Sequence, residues 1–170
     1  MSRTVVIVGN PKAASRTRVL AEEVVAQVAA RAGWTDNGVD VIDLADHTGG
    51  LFDWSSADIA ALVERVLAAD LLVVASPTYK ATYTGLLKVF LERFGRDQLA
   101  GVPAVAVMTG GRDTHALAVE HALRPLLVEI GASVPTRGLY VVESELEDPS
   151  VPVKAWLDEA GDVLARALSR

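Results

Sequence analysis

The sequence predicts an α/β fold with a parallel five-stranded sheet and helices on both of its faces. Short apolar runs alternate five times with longer segments in which apolar residues recur at helical spacing. The short runs are rich in β-branched residues and lack polar alternation, as expected of strands buried on both faces. Because a helix follows each strand, consecutive strands are expected to lie parallel. The chain length of 170 residues suits a single domain, residues 1–170.

The first half of the chain predicts two strands and two helices. Residues 5–8 read Val-Val-Ile-Val and predict a buried strand, and residues 15–31 carry apolar side chains at helical spacing. A second strand is predicted at 39–44, and a second helix at 58–67 with four apolar residues on one face. Residues 47–55 contain two glycines and a tryptophan and predict a surface loop, which is either a connector or part of a binding site.

The second half of the chain continues the same alternation. Its strands and helices are predicted, in turn, at residues 71–75, 83–94, 102–108, 115–130, 138–142 and 153–168. The first of these reads Leu-Leu-Val-Val-Ala and is typical of a buried strand. The last carries apolar residues on one face and predicts an amphipathic closing helix.

The composition excludes several classes of protein. Hydrophobic residues make up 51% of the chain and charged residues 22%, which is typical of globular proteins. A net charge of -6 argues against general nucleic-acid binding, which needs a basic surface. A phosphate bound by this acidic chain must therefore be held locally, by a loop and a helix end.

The chain contains no cysteine, which excludes disulfides, thiolate-held clusters and cysteine nucleophiles. The N-terminus lacks the pattern of a signal peptide, and no apolar run approaches the roughly 20 residues that span a bilayer. These features predict a soluble cytoplasmic protein without a membrane association.

Three loops mark one edge of the predicted sheet as a binding site. Ligands of open parallel sheets bind beyond the carboxyl ends of the strands, near the point where the strand order reverses. The loops that follow the first, third and fourth strands are residues 9–17, 76–80 and 109–112. All three are rich in hydroxyl, glycine, proline and basic residues, unlike the opposite strand ends.

The first loop has the chemistry of a phosphate-binding site. Ser15 is a good N-cap, and the N–H groups of the first helical turn point outward without intrahelical partners. The helix dipole and the side chains of Arg16 and Thr17 favour an anion, and Lys12 adds charge. An ordinary capped helix after a strand would explain this loop equally well when it is taken alone.

The loop is neither a Walker motif nor a dinucleotide fingerprint. It lacks the Gly-Lys-Ser/Thr ending of the former and the glycine spacing of the latter. A terminal monophosphate fits better, because hydroxyl and N–H groups can surround a dianion on three sides.

The other two loops are suited to border a flat aromatic group. Pro77 has a fixed φ, and Tyr79 can lay its ring against a ligand. Gly110 and Gly111 permit close approach of the backbone, whose N–H groups can reach ring carbonyls. Each loop alone could be a plain turn or a flexible connection, but three at adjacent strand ends favour a site.

These motifs resemble the NAD(P)H-dependent FMN reductases, which have a flavodoxin-like three-layer fold with strand order 2-1-3-4-5. The resemblance rests on Gly-Asn-Pro-Lys at 9–12, Ser-Arg-Thr at 15–17 and the run Ser-Pro-Thr-Tyr-Lys-Ala-Thr-Tyr-Thr-Gly-Leu-Leu-Lys at 76–88. It covers roughly Val5 to Tyr140 and is closest to the reductases that supply reduced FMN to alkanesulfonate monooxygenases. Asn10 and Lys12 replace the usual Ser and Arg but leave a donor and a charge.

The resemblance implies a cofactor site, an activity and a partner. The implied ligands are FMN and NADPH or NADH, and the implied partner is a flavin-dependent monooxygenase. The predicted cofactor-binding residues are Asn10, Lys12, Ser15, Arg16, Thr17, Pro77, Thr78, Tyr79, Lys80, Thr109, Gly110 and Gly111. The resemblance assigns Ser15, Arg16 and Thr17 to the FMN phosphate, with Asn10 and Lys12 in the same loop. It assigns residues 77–80 to the flavin and its ribityl chain and residues 109–111 to the isoalloxazine ring.

Hydride transfer between stacked rings needs positioning more than acid–base chemistry, so no catalytic residue is assigned. The three histidines are not grouped as metal ligands would be, and no metal site is predicted.

Two other functions share the same ring chemistry. One is an FMN-dependent quinone, azo-dye or chromate reductase, and the other is an electron carrier of the flavodoxin type.

Pro125 predicts an irregular helix. Inside the helix at 115–130 its missing N–H leaves the carbonyl of His121 without a donor, and its ring crowds the same carbonyl. A kink or a π-bulge around His121 would relieve both. The sulfonate-linked reductases carry such an insertion at a subunit interface, often with a tyrosine where this chain has His121. That resemblance implies a homodimer or homotetramer.

Overall fold

Five parallel strands form one sheet in the computed structural model, which describes residues 2–34 and 37–169. The strands are β1 (Ser2–Val8), β2 (Asn37–Asp43), β3 (Leu71–Pro77), β4 (Ala104–Gly110) and β5 (Leu139–Val142). Their order is β2-β1-β3-β4-β5, which confirms the predicted flavodoxin-like arrangement. The order reverses between β1 and β3, so ligands are expected at the carboxyl ends of these two strands.

Helices cover both faces of the sheet, as predicted. On one face lie α1 (Arg16–Ala32) and α5 (Ser150–Leu168). On the other lie α2 (Ala57–Leu67), α3 (Gly85–Leu91) and α4 (Arg124–Glu129). Along β1, Val6 and Val8 pack under the first group while Val5 and Ile7 pack under the second. Because both sides of the strand are buried, its sequence shows no polar alternation.

The strands extend beyond their apolar runs. The hydrogen-bonded register of β1 and β2 begins with Ser2 opposite Asn37, and that of β3 and β4 runs to Pro77 opposite Thr109. Backbone hydrogen bonds define a strand, and polar residues can make them as well as apolar ones. The predicted centres of the strands are therefore right, whereas several ends differ by two or three residues.

The helix predicted at residues 83–94 is shorter than expected, at Gly85–Leu91. The hydroxyl of Thr84 accepts a hydrogen bond from the N–H of Leu87 at 3.1 Å, so Thr84 is the N-cap. At the other end, the N–H groups of Arg93 and Phe94 donate to carbonyls three residues back, at 3.1 and 3.3 Å. This tighter turn ends the helix before Phe94.

The helix predicted at residues 115–130 begins later, and its hydrogen bonding is irregular. A 3₁₀ turn at Asp113–His115 is followed by a π-helix at Val119–Leu123 and then by α4. The predicted π-bulge around His121 is confirmed. Pro125 follows the π-helix directly, and the wider hydrogen bonding there, such as that from the N–H of Arg124 to the carbonyl of Val119, accommodates its ring and its missing N–H.

The remaining helices agree with their predictions, except that α5 begins three residues earlier than expected. Its first turn contains Pro152, whose position precedes the first intrahelical N–H donor, Val153, so the missing N–H costs no hydrogen bond. Within the described residues, no helix combines the length and the apolar character that crossing a bilayer requires.

Candidate functional site

A cavity of about 270 Å³ lies beyond the carboxyl ends of β1, β3 and β4, where the strand order reverses. Eight of the twelve predicted cofactor-binding residues line it: Asn10, Lys12, Ser15, Arg16, Thr17, Pro77, Tyr79 and Thr109. Ala14, Glu143 and Leu146 complete the lining. We refer to this space as the loop cavity. The topology thus brings the first loop together with parts of the second and third.

The N-terminus of α1 forms one wall of the loop cavity. Ser15 is buried, and its hydroxyl accepts a hydrogen bond from the N–H of Arg18 at 3.3 Å. The N–H groups of Arg16 and Thr17 precede the first intrahelical hydrogen bond, so the helix itself provides them with no acceptor. Together with the helix dipole, these N–H groups favour an anion at this wall.

A chain of side-chain hydrogen bonds joins the first loop to the third. The amide nitrogen of Asn10 donates to the Thr17 hydroxyl at 3.1 Å, and the hydroxyls of Thr17 and Thr109 are 3.2 Å apart. The amide oxygen of Asn10 accepts from the N–H of Lys12 at 2.9 Å. Thr17 and Thr109 are buried, so these bonds fix the loops relative to each other before a ligand arrives.

The turn that enters α1 has a constrained backbone. Ala14 has φ of 49°, in the left-handed region, and its N–H donates to the carboxylate of Asp43 at 3.2 Å. Asp43 is the last residue of β2 and is buried, with Arg18 3.7 Å away. A left-handed alanine costs about 1 kcal/mol or more and persists only where its surroundings hold it. Such positions are common where loops bind ligands.

Two cations border the loop cavity. The Nη2 atom of Arg16 lies 2.9 Å from a carboxylate oxygen of Glu143. Lys12 is exposed and forms no ion pair with the part of the chain that the structure describes. Lys12 therefore offers a cation without an ion-pair partner to this loop, and Arg16 offers one that is shared with Glu143.

The second loop forms a strained turn beside the cavity. The N–H groups of Tyr79 and Thr82 donate to each other's carbonyls at 2.9 and 3.2 Å. Between them, Lys80 and Ala81 have φ of 53° and 66°, so both adopt left-handed conformations without being glycine. This turn presents the half-exposed ring of Tyr79 to the loop cavity, whereas the exposed Lys80 does not line it.

Thr78, Gly110 and Gly111 also lie outside the lining of the loop cavity. At Gly110 the structure shows a packing reason for glycine, because an added Cβ would be 2.0 Å from the Tyr140 hydroxyl oxygen. That hydroxyl donates to the carbonyl of Arg112 at 2.7 Å. Burial is the main cause that raises the pKa of the Tyr140 phenol, so the group keeps the proton that it donates. Around Gly111 the space is open.

Three lining residues were not predicted from the sequence. Glu143 and Leu146 belong to the 3₁₀ turn that directly follows β5, and Ala14 lies within the first loop. The signal for Glu143 was its position after a parallel strand, since all such ends meet at one edge of the sheet. Ala14 carries no distinguishing side chain, and only its backbone conformation marks it.

The donor set of the loop cavity fits a phosphate monoester. It offers hydroxyls of Ser15 and Thr17, free N–H groups of a helix end, and the charges of Lys12 and Arg16. These are the groups that bind a phosphate dianion in proteins. The adjacent Tyr79 and Pro77 offer apolar surface for the rest of a ligand.

The fold is flavodoxin-like, and the chemistry of the loop cavity suits a phosphate. The family of NADPH-dependent FMN reductases matches residues 2–147, and the chain belongs to this family. The predicted activity, an NAD(P)H:FMN oxidoreductase that uses FMN and a nicotinamide, is thereby confirmed.

Comparisons with individual proteins agree. The chain is 38% identical over 141 residues to "NADH-dependent FMN reductase SfnF" of Pseudomonas putida, covering 81% of this chain and 76% of that protein. It is 30% identical over 165 residues to "FMN reductase (NADPH)" of Pseudomonas aeruginosa, covering 94% and 89%. A solved NADH:FMN oxidoreductase (EMOB), in its apo form, superposes with a TM-score of 0.79 at 34% identity, covering 99% and 87%.

Proposed function

We propose that this reductase binds the phosphate of FMN in the loop cavity, reduces the flavin with NADH or NADPH, and releases it to a flavin-dependent monooxygenase. The observation that carries the proposal is the convergence of Ser15, Arg16 and Thr17 with Thr109 on one cavity at the point of strand reversal. Bound FMN supplies the ring that accepts a hydride from the nicotinamide. The residues of the chain bind and orient that ring.

Each side chain has a definite role in this proposal. Arg16 and Lys12 neutralise the phosphate, and the hydroxyls of Ser15 and Thr17 donate to its oxygens. Pro77 and Tyr79 border the flavin. The assignment of Thr78, Lys80, Gly110 and Gly111 to the flavin remains a prediction, because these four lie beside the loop cavity and do not line it.

A monooxygenase partner is supported by the resemblance of the 76–88 run to reductases that serve alkanesulfonate monooxygenases. Such a partnership requires that reduced FMN leaves the protein, and two features of the site agree with this. The side chain of Arg16 is 62% exposed, and Lys12 is also exposed. Both charged groups on the proposed phosphate are therefore open to water.

We also propose that the enzyme assembles as a homodimer or homotetramer through the face that carries the π-helix. Leu117, just before the π-helix, is 67% exposed, and Val128 on α4 is 53% exposed. Two large apolar side chains left open on one irregular segment fit a surface that another subunit covers.

The activity is tested by mixing the purified protein with NADH or NADPH and following the absorbance of the nicotinamide as FMN is added. The expected result is oxidation that rises with FMN and saturates. Absence of oxidation with both nicotinamides at every FMN concentration would contradict the enzyme assignment.

Dialysis after loading with FMN then distinguishes an exchanging enzyme from an electron carrier. The proposal expects FMN to be lost to the buffer and activity to return when FMN is added again. A protein that retained FMN fully and oxidised neither nicotinamide would be a carrier of the flavodoxin type.

A further inference from the structure

The side chain of Glu143 lines the loop cavity, where its negative charge would repel a bound phosphate. It is the first residue after β5 and starts the 3₁₀ turn Glu143–Glu147. Its carboxylate is 2.9 Å from Nη2 of Arg16, and its carbonyl is 3.5 Å from Nη1 of the same side chain. Among the described residues that line the loop cavity, Glu143 is the only carboxylate.

The ion pair between Glu143 and Arg16 has little value as a structural tie. The side chain of Arg16 is 62% exposed and that of Glu143 is 52% exposed. Pairs so open to solvent contribute little to the free energy of unfolding, because water screens them and ordering two long side chains costs entropy. Separating the two side chains to admit a ligand would therefore cost the fold little.

We propose that Glu143 is an internal competitor of the FMN phosphate for Arg16 and sets how quickly FMN exchanges. This inference rests on the proposed phosphate site. A phosphate dianion and the Glu143 carboxylate both need the same guanidinium, and two anions close together repel each other. To bind FMN, Arg16 must leave Glu143 or share itself between the two anions.

The site contains some groups that stay in place and others that can change partner. Ser15 and Thr17 are buried and stay on the wall of the loop cavity, whereas Arg16 and Glu143 are exposed and free to change partner. The neutral donors thus fix the geometry of the site, and the Arg16–Glu143 pair sets how strongly the site binds a negatively charged ligand. Weakened affinity for FMN suits an enzyme whose reduced flavin must leave.

The competition acts on the phosphate alone, which makes it separable from any effect on the flavin ring. Riboflavin has the same ring without the phosphate, so its affinity should not depend on Glu143. FMN should be bound more tightly when the carboxylate is replaced by a neutral isostere.

The test compares Glu143→Gln with Glu147→Gln, using flavin fluorescence to measure the Kd for FMN and riboflavin and stopped flow to measure release. Glu147 lies in the same 3₁₀ turn, is exposed and forms no ion pair with any described residue, so its variant makes the same charge change away from the cavity. For Glu143→Gln we expect the Kd for FMN to fall about tenfold and release to slow in proportion. Riboflavin should bind both variants as it binds the wild type.

An FMN affinity that is unchanged or weaker in Glu143→Gln would overturn the proposal, as would an equal gain in Glu147→Gln. Arg16→Ala, measured in parallel, separates this failure from failure of the phosphate site. If Arg16→Ala weakens FMN binding and Glu143→Gln does not tighten it, only the competition is wrong. If Arg16→Ala has no effect on the Kd for FMN, Arg16 is no part of the phosphate site, and the proposed function is wrong at that residue. Thermal unfolding confirms that all three variants are folded.

Discussion

Gly9 lies where β1 passes into the first loop, and α3 packs directly on it. A Cβ added at Gly9 would be 2.6 Å from the Cβ of Leu87, which lies in α3. The carbonyl of Gly9 also accepts a hydrogen bond from the hydroxyl of Thr84 at 2.5 Å, so the first loop and the start of α3 cannot easily separate. We expect Gly9→Ala to lower the free energy of unfolding by about 1–3 kcal/mol, because it forces the loop away from α3. Urea denaturation measures the change.

Gly111→Ala is the matched control for Gly9→Ala. No atom lies within 4 Å of the position that a Cβ would occupy at Gly111, and its φ is not positive. Gly111→Ala should change the free energy of unfolding by no more than about 0.5 kcal/mol. Equal stability of the two variants would show that the close approach of Gly9 and Leu87 imposes no constraint.

At the level of single residues, the sequence indicated the proposed site through residue chemistry and loop position. Ser15, Arg16 and Thr17 could be predicted because an N-cap and two donors directly follow a buried strand. Glu143 was missed: its position after β5 placed it at the same edge of the sheet, but only the fold shows that its carboxylate meets Arg16. The role of Gly110 could not be predicted, because its contact with Tyr140 joins residues far apart in the chain.

At the level of elements, the Asp40 side chain connects β2 with α2 and β1. It lies on β2 and accepts a hydrogen bond from Nε of Arg65 on α2 at 2.8 Å, with Arg3 of β1 3.6 Å away. The hydrogen bond from Arg65, and then the nearby Arg3, lower the pKa of Asp40 below its usual range. The ionised carboxylate is thus favoured in the folded state.

The pH dependence of stability follows from that direction. Because the pKa of Asp40 is lower in the folded state, its ionised carboxylate stabilises the fold at pH values above the pKa in the unfolded chain, about 3.9. This contribution is lost as the pH falls through the folded pKa. We expect Asp40→Asn to lose about 1 kcal/mol or less at neutral pH and to approach the wild type in acid. Urea midpoints at the two pH values measure this. Glu64→Gln, an exposed change on α2, should show no such convergence. A difference that did not depend on pH would contradict the assignment.

The elements themselves were mostly predictable, and their failures have local causes. Apolar patterns in the sequence located the five strands and the α-helices. They placed the end of α3 three residues too late because apolar residues continue to Phe94 after the helical hydrogen bonds stop. Pro125 predicted the π-helix because a proline removes one identifiable hydrogen bond. The 3₁₀ turn before it has no comparable signal.

At the level of the whole molecule, the strand order was predictable only through the resemblance. Alternation of strands and helices indicates a parallel sheet, but it is compatible with more than one order. The order β2-β1-β3-β4-β5 puts three chemically similar loops at one edge, and this juxtaposition makes the site.

The proposed assembly is a prediction at the same level. Light scattering coupled to size exclusion should give two or four times the 18.0 kDa of the chain. Leu117→Glu should reduce the mass, because a charge would enter the apolar contact. Val151→Glu is the control, since Val151 is 63% exposed on α5, which packs on the other face of the sheet. An 18.0 kDa species alone for the wild type would contradict the assembly.

The central claim is that the loop at residues 9–17 holds the phosphate of FMN. The most direct test is the Kd of Arg16→Ala for FMN and for riboflavin, beside Arg96→Ala as an exposed arginine before β4 at the opposite edge of the sheet. We predict that Arg16→Ala raises the Kd for FMN about ten- to hundredfold and leaves that for riboflavin unchanged, while Arg96→Ala changes neither. An FMN affinity equal to that of the wild type in Arg16→Ala would contradict the claim.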